Sequence, residues 1–123
     1  MVTPIPTPSV PPNNNTYSQA ARLGNLVFLS GQLGLDRASG QPLEGIEAQT
    51  RQAIENIIQV LADAGTSLAN VAKVNIFITD FTLLPRMNSV YSQYFTHRPA
   101  KTTVEISRLD RGALIEIEVV AGV

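Results

Sequence analysis

The sequence contains no cysteine and a single histidine, His97. Without cysteine the chain forms no disulfide, no thiolate metal site and no cysteine nucleophile. A zinc site with two histidines from one chain is excluded as well, because it needs two imidazole ligands. A Ser–His–Asp triad would have to use His97, which lies beside Arg98 and Pro99 without an acidic neighbour. We therefore interpret His97 as a surface loop residue and expect no metal site.

Charge of either sign is also scarce. Charged residues make up 15% of the chain, and nine basic against ten acidic residues give a formal net charge of −1. Nucleic-acid-binding domains usually carry a basic excess, so the composition argues against such a partner. No apolar run approaches the roughly 18 residues that a membrane span requires. The first 12 residues hold five of the eight prolines and no basic residue, unlike a secretory signal. We expect a soluble, cytoplasmic protein.

The length and composition indicate one globular domain. The chain has 123 residues, of which 44% are apolar, enough for a single hydrophobic core. Residues 1–16 are predicted to be a proline-rich irregular arm, and residues 17–123 a single domain. Asn14, Asn15 and Thr16 match a glycosylation sequon, but nothing else indicates secretion.

The hydrophobic periodicity predicts the element order β-β-α-β-α-β-β. Apolar residues recur at helical spacing from Ile46 to Ala64, and Gly65 is a natural stop for that helix. The second helix is predicted at residues 85–95. The predicted strands cover residues 17–22, 26–30, 72–79, 101–107 and 114–121. The fold class is therefore α+β, with two layers and both helices on one face of a mixed sheet.

A two-layer fold leaves the other face of the sheet uncovered. In the last strand Ile115 and Ile117 point to the helices, whereas Glu116 and Glu118 point away, because successive strand residues alternate between faces. This second face mixes aliphatic groups with carboxylates. We expect it to be buried against other subunits, with a polar pocket there.

Glu116 is the first candidate for chemistry. A carboxylate beside another one on a partly buried surface has a raised pKa and can act as a general acid or base. If the preceding strand pairs in a same-parity register, Lys101 and Thr103 join the face of Glu116. A cation, a hydroxyl and a carboxylate would then converge. The alternative is a solvated strand face with an edge lysine.

Four further residues are candidates for ligand binding. Ser30 and Gly31 end an apolar strand, where a hydroxyl or a backbone N–H can meet a ligand, although turn chemistry is an alternative. Tyr17 can stack on a ligand or be an ordinary half-buried strand residue. Asn88 lies on the second helix, as a ligand contact or a surface residue.

Several motifs resemble the Rid (YjgF) family of reactive intermediate deaminases. They are S-G-Q at residues 30–32, R-Q-A-I-E-N at 51–56, P-A-K-T-T-V-E-I-S-R-L at 99–109 and I-E-I-E at 115–118. The resemblance covers nearly the whole chain, with the motifs in the same order and spacing. It implies a chorismate-mutase-like α+β fold and a homotrimer with a ligand pocket at each subunit interface.

The resemblance also implies an activity. The family hydrolyses 2-imino and enamine acids to 2-oxo acids and ammonia, without metal or cofactor. By its pattern Glu116 positions or activates water, while Tyr17, Ser30 and Asn88 line the pocket. The chain departs from the family at Lys101, where the deaminases have an arginine that grips the substrate carboxylate. Lysine keeps the charge but loses the bidentate fork, and Arg98 is a candidate to supply a guanidinium instead.

Three functions remain open at this stage. The first is a weak or retuned deaminase that acts on a small carboxylate-bearing imine. The second is a non-catalytic trimer that binds a small carboxylate, such as a 2-oxo acid, or a partner protein. The third, a ribonuclease, has least support, because the charge is near neutral and a paired histidine is lacking.

Overall fold

A computed structural model describes residues 1–9 and 16–123, which form seven strands and two helices. The predicted order of the longer elements is confirmed. Strands β1 and β4 are additions, because two residues are too few to show a periodicity. In chain order the elements are β1 (Thr3–Pro4), β2 (Ala20–Leu23), β3 (Leu26–Leu29), β4 (Gln32–Leu33), α1 (Ile46–Asp63), β5 (Val71–Ile78), α2 (Leu84–Tyr94), β6 (Ala100–Glu105) and β7 (Ile115–Gly122).

The described part of the N-terminal arm is tied to the body. Strand β1 pairs antiparallel with β2, which corrects the expectation of irregular structure at residues 3–4. Ser9 donates from its N–H and its hydroxyl to the Asp63 carboxylate, at 3.0 and 2.6 Å. The sequon residues Asn14 and Asn15 lie outside the described residues. The domain boundary after residue 16 stays a prediction.

The strands form one mixed sheet, as predicted. Its order is β1-β2-β3-β7-β5-β6, with β4 also paired to β7. Strands β5 and β6 run parallel, because α2 crosses over between them, and the other described pairs are antiparallel. This order puts β6 at one edge of the sheet and β5 between β6 and β7. The interpretation of β6 as the direct neighbour of β7 is therefore wrong.

The helices cover one face of the sheet. The apolar stripe of α1 packs on the inward residues of β7, among them Ile115, Ile117 and Val119. Gly65, at φ 81°, ends α1 as predicted: its N–H donates to Ala62, and the next N–H donates to Leu61, which is a Schellman cap. Neither helix within residues 1–9 and 16–123 is long and apolar enough to cross a membrane.

The opposite face of the sheet, here called the outer face, is uncovered in the single chain. Four large apolar side chains on it, Leu23, Leu26, Phe28 and Val104, are between 40% and 46% exposed. The register places them beside polar residues of the same face, including both glutamates of β7. The predicted alternation of β7 is confirmed, because its inward residues are buried and its outward ones half-buried. The homotrimer stays a prediction.

Candidate functional site

A cavity of about 450 Å³ opens where β4, β7 and two loops meet. Three of the predicted site residues, Tyr17, Gly31 and Glu116, contribute to its wall. Two loops supply most of the rest. The lining residues are Tyr17, Gly31, Gln32, Leu33, Leu35, Asp36, Arg37, Ala38, Ser39, Gly40, Asn56, Asp110, Arg111 and Glu116.

An irregularity between β3 and β4 shapes this wall. Phe28 pairs with Val120, and Gln32 pairs with Ile117. Between these two pairs the chain advances four residues from β3 to β4 but only three residues along β7. One extra residue in a strand is a bulge, which bends it and redirects side chains. The bend brings Gly31 against Glu116: a Cβ on Gly31 would lie 2.7 Å from the Glu116 Cδ. Glu116 therefore occupies space that any other residue at position 31 would fill.

The surroundings of Glu116 favour its protonated form. Burial raises the pKa of this carboxyl, and the negative charges of Glu118 and Asp110 raise it further. The predicted direction of this pKa shift is thus confirmed, although burial contributes more than the neighbouring glutamate. A carboxyl with a raised pKa in a cavity is suited to both accept and return a proton.

Ser30 lies beside the cavity rather than in its wall. Its hydroxyl donates to the Ser18 carbonyl at 2.6 Å, and its N–H donates to the Gln19 carbonyl at 2.9 Å. The Gln32 amide donates to the Gln19 side chain at 2.7 Å. These bonds hold the segment that carries Tyr17 against the end of β3. Within one chain, Ser30 positions Tyr17 at the cavity.

Lys101 lies in a different environment, against α2. Its Nζ donates to the Asn88 Oδ1 at 3.3 Å and lies 4.5 Å from the centroid of the Tyr91 ring. Tyr91 is stacked on Phe95, and burial raises the pKa of its hydroxyl to about 12. The ring therefore stays neutral and attracts the ammonium through its π face. The structure brings together Lys101 and Asn88, two of the predicted site residues.

The sheet register separates Lys101 from Glu116. Lys101 is level with Val74, which is level with Val119 on the helix-covered face. Glu116 lies on the outer face, and β5 adds a second strand spacing, roughly 10 Å in all. Thr103 also falls on the helix-covered face, through Ile76. The hypothesis that Lys101, Thr103 and Glu116 share a face is therefore wrong for a single chain.

Arg98 and His97 lie on the Lys101 side of the molecule. Arg98 has a left-handed backbone, with φ 58°, in the exposed turn before β6. The His97 Nε2 lies 2.8 Å from the Val71 carbonyl, and its side chain is exposed, in agreement with its interpretation as a surface residue. Neither residue contributes to the wall of the cavity.

Several polar residues of the cavity wall were not predicted, among them Asn56 and Arg111. Asn56 is buried and donates to the Leu33 carbonyl at 3.1 Å, and its position inside the R-Q-A-I-E-N motif was a usable signal. Arg111 has a left-handed backbone at φ 58°, a conformation that costs a non-glycine residue about 1–3 kcal/mol. Its Nη1 donates to the Gly40 carbonyl at 2.7 Å, which joins the two loops of the cavity wall. In sequence it is marked only by the turn Asp110-Arg111-Gly112.

The cavity and the β6 edge offer no metal centre within residues 1–9 and 16–123. No three histidine, aspartate or glutamate side chains there are grouped as a ligand set. The cavity wall offers a carboxyl suited to proton transfer at Glu116 and the guanidinium groups of Arg37 and Arg111 for anion binding.

Comparison with known proteins covers both regions. A family model described as Endoribonuclease L-PSP matches residues 7–123. A RutC family protein of Pyrococcus abyssi is 42% identical over 117 residues, which are 94% of this chain and 92% of that protein. The Rid family protein YyfA of Yersinia pestis has a crystal structure that is 40% identical and covers 100% of both chains, with a TM-score of 0.94. RidA of the Antarctic bacterium Psychrobacter sp. PAMC 21119 is 37% identical and covers 97% of this chain and 98% of its own, with a TM-score of 0.91.

Proposed function

Because the chain belongs to the Endoribonuclease L-PSP family, which includes the Rid proteins, we propose that it hydrolyses reactive 2-imino and enamine acids to 2-oxo acids and ammonia. The observation that carries the proposal is the position of Glu116 in the cavity wall with a raised pKa. Imine hydrolysis needs one group that takes a proton from water and returns it to the leaving nitrogen.

Glu116 serves both proton transfers in the proposed reaction. Its carboxylate takes a proton from water as the water oxygen bonds to the C=N carbon of the protonated imine, giving a carbinolamine. The carboxyl then returns that proton to the nitrogen. The C–N bond breaks and ammonia leaves, the hydroxyl gives its remaining proton to the solvent, and the oxygen becomes the carbonyl of the 2-oxo acid. An enamine first takes up a proton at carbon to become the protonated imine. Neither a metal nor an organic cofactor takes part.

The substrate carboxylate requires a cation, and we assign this role to Lys101 of a second copy. Within one chain Lys101 and Glu116 lie on opposite faces, with β5 between their strands. Lys101 is at the exposed edge strand β6, where a neighbouring subunit can approach it. The exposed apolar side chains of the outer face support an assembly of several copies. We propose that this assembly is the homotrimer that the resemblance to the Rid family implies. In a closed ring, the edge of each copy meets the cavity of the next.

The first experiment measures ammonia release from 2-imino acids generated in place by an amino-acid oxidase. We expect Glu116→Gln to lower kcat by about 10²–10⁴-fold, the usual contribution of a general acid–base group. Glu118→Gln is the matched control, because Glu118 is on the same face of β7 but outside the cavity wall. Equal rates for the wild type and buffer would end the proposal.

Mixed assemblies test the assignment of Lys101. Lys101→Ala and Glu116→Gln chains are unfolded together, refolded at equal amounts and assayed beside each variant alone. A site shared between copies recovers about one quarter of wild-type activity, because each interface draws its two chains at random. Mixtures no more active than the separate variants would show that the two residues act within one chain or not together.

The non-catalytic binding module is the second candidate, and one observation favours it. The ammonium of Lys101 is already engaged by Asn88 and the Tyr91 ring, so it offers a weaker grip than a guanidinium. Calorimetric binding of a 2-oxo acid without turnover of any imine would support this candidate. The same protein is also incubated with single-stranded RNA. Degradation of this RNA would favour a nuclease over both the deaminase and the binding module. A cytoplasmic location stays a prediction that cell fractionation can test.

A further inference from the structure

Arg111 belongs to the cavity wall and is not used in the proposed hydrolysis. It lies in the loop before β7, in the same wall as Glu116. Its left-handed backbone is unfavourable for a residue with a side chain, and such strain persists where the surrounding structure enforces it, often at ligand sites. The cavity therefore contains a guanidinium that the deaminase reaction itself does not require.

The guanidinium keeps donors available for a ligand. An arginine has five N–H donors in a planar fork. One Nη1 proton is donated to the Gly40 carbonyl, and Nε lies 3.7 Å from the Asp110 Oδ2. Within the described part of the chain, Nη2 donates to no protein acceptor. The planar Nη1–Nη2 edge suits a carboxylate, which binds such an edge with two parallel hydrogen bonds.

The charges around Arg111 determine what it binds. Arg37 is a second guanidinium in the wall, and its side chain is exposed. Of the acids in the wall, Asp36 accepts a hydrogen bond from the Ser39 N–H at 2.9 Å, and Asp110 faces Nε of Arg111. Burial raises the pKa of the third acid, Glu116. The wall thus carries two guanidinium groups beside the carboxyl groups of Asp36, Asp110 and Glu116.

We propose that Arg111 binds a second carboxylate of the substrate, so that the cavity takes imines of amino acids with acidic side chains. The inference rests on the proposed function: Lys101 of a neighbouring copy binds the carboxylate beside the C=N carbon, and Arg111 binds the side-chain carboxylate. A monocarboxylic imine leaves Nη2 of Arg111 without an acceptor. The 450 Å³ of the cavity accommodates the longer diacid.

The test compares a diacid with a monoacid. Imines are generated by oxidases from glutamate and from alanine, and kcat/KM is measured for each. Arg111→Asn removes the charge but tolerates the left-handed backbone. We expect the diacid-to-monoacid ratio of kcat/KM to fall about tenfold to hundredfold in this variant, the effect of losing a charge-assisted pair. Arg111→Lys should fall between it and the wild type, because lysine keeps the charge alone.

Arg22→Asn is the matched control. Arg22 is exposed and also donates to a glycine carbonyl, that of Gly24, at 3.0 Å, but it is absent from the cavity wall. The diacid-to-monoacid ratio of kcat/KM in Arg22→Asn should equal that of the wild type. An unchanged ratio in Arg111→Asn, or an equal fall in Arg22→Asn, would overturn the inference.

Calorimetry separates failure of this inference from failure of the proposed function. The probes are 2-oxoglutarate and 2-oxobutanoate, which differ by one carboxylate and need no turnover. Wild-type protein without activity on either imine refutes the deaminase proposal alone. In that case a Kd for 2-oxoglutarate raised at least tenfold by Arg111→Asn, but not by Arg22→Asn, still supports the second anion site. An unchanged Kd overturns it.

Discussion

Glu116 in the cavity and Lys101 at the β6 edge are groups of opposite charge in different surroundings. Glu116 is half-buried in a cavity, so desolvation raises its pKa and prepares it for proton transfer. Lys101 is exposed and kept in place by an aromatic face and an amide oxygen of α2. Within one chain these two groups lie on opposite faces of the sheet, so the proposed function brings them together from two copies.

Among the substitutions that probe this comparison and leave Glu116 itself in place, the largest effect is expected from one that disturbs the cavity without changing a charge. In Gly31→Ala the new methyl group would lie 2.7 Å from the Glu116 Cδ, so the carboxyl has to move. We expect kcat/KM for imine hydrolysis to fall about hundredfold, since a displacement of 1 Å can have this effect. Ammonia release measures it, with a thermal melt to show that the variant is folded.

Gly122→Ala is the control for that prediction. Its Cβ would lie no closer than 4.0 Å to the nearest atom, the Asn25 carbonyl oxygen, so it leaves the cavity undisturbed. Activity of Gly31→Ala within twofold of the control would contradict the role of Gly31 in positioning Glu116.

A smaller effect, on KM, is expected at Lys101, to which we assign binding of the substrate carboxylate. In Lys101→Arg the guanidinium keeps the charge and can bind a carboxylate with two parallel hydrogen bonds. We expect KM for a monocarboxylic imine to fall about tenfold, which is 1.4 kcal/mol of binding. Lys73→Arg is the control, because Lys73 is half-buried and donates to Thr102 on the outer face, away from Lys101. A KM that both substitutions change equally would show that Lys101 does not contact the substrate.

The smallest effect is on stability. The pKa of Glu116 is raised in the folded chain above its value of 4.5 in the unfolded chain, so the folded state holds the proton more tightly. Stability is then lost as the pH rises from about that value through the raised pKa. Glu116→Gln removes the cost of burying this negative charge. We therefore expect a small rise in Tm at pH 7 that disappears below pH 4.

Thermal melts across this pH range measure the difference. Glu44→Gln is the control, because Glu44 is exposed and outside the cavity wall. A wild-type Tm at pH 7 equal to or above that of Glu116→Gln would contradict the burial of this charge.

Local patterns predicted the parts of the fold that depend on neighbours in sequence. The alternation of β7 placed Glu116 on the outer face, and the stripe of α1 with Gly65 after it placed that helix within a residue of its observed end. Gly31, at the end of one predicted strand, and Tyr17, at the start of another, were recognised as candidates for ligand binding, and both line the cavity. The same reasoning missed Arg111, because a turn sequence does not show that two loops 71 residues apart meet at Gly40.

The sequence by itself determined the two layers, the uncovered face of the sheet and the position of Glu116 on it, since these follow from periods of 2 and 3.6 residues along the chain. Only the tertiary structure decided that β5 lies between β6 and β7, that Lys101 faces the helices and that a bulge opens a cavity at Gly31. Each of these depends on pairing between segments distant in sequence. A shift of one residue in such a pairing moves every side chain to the other face.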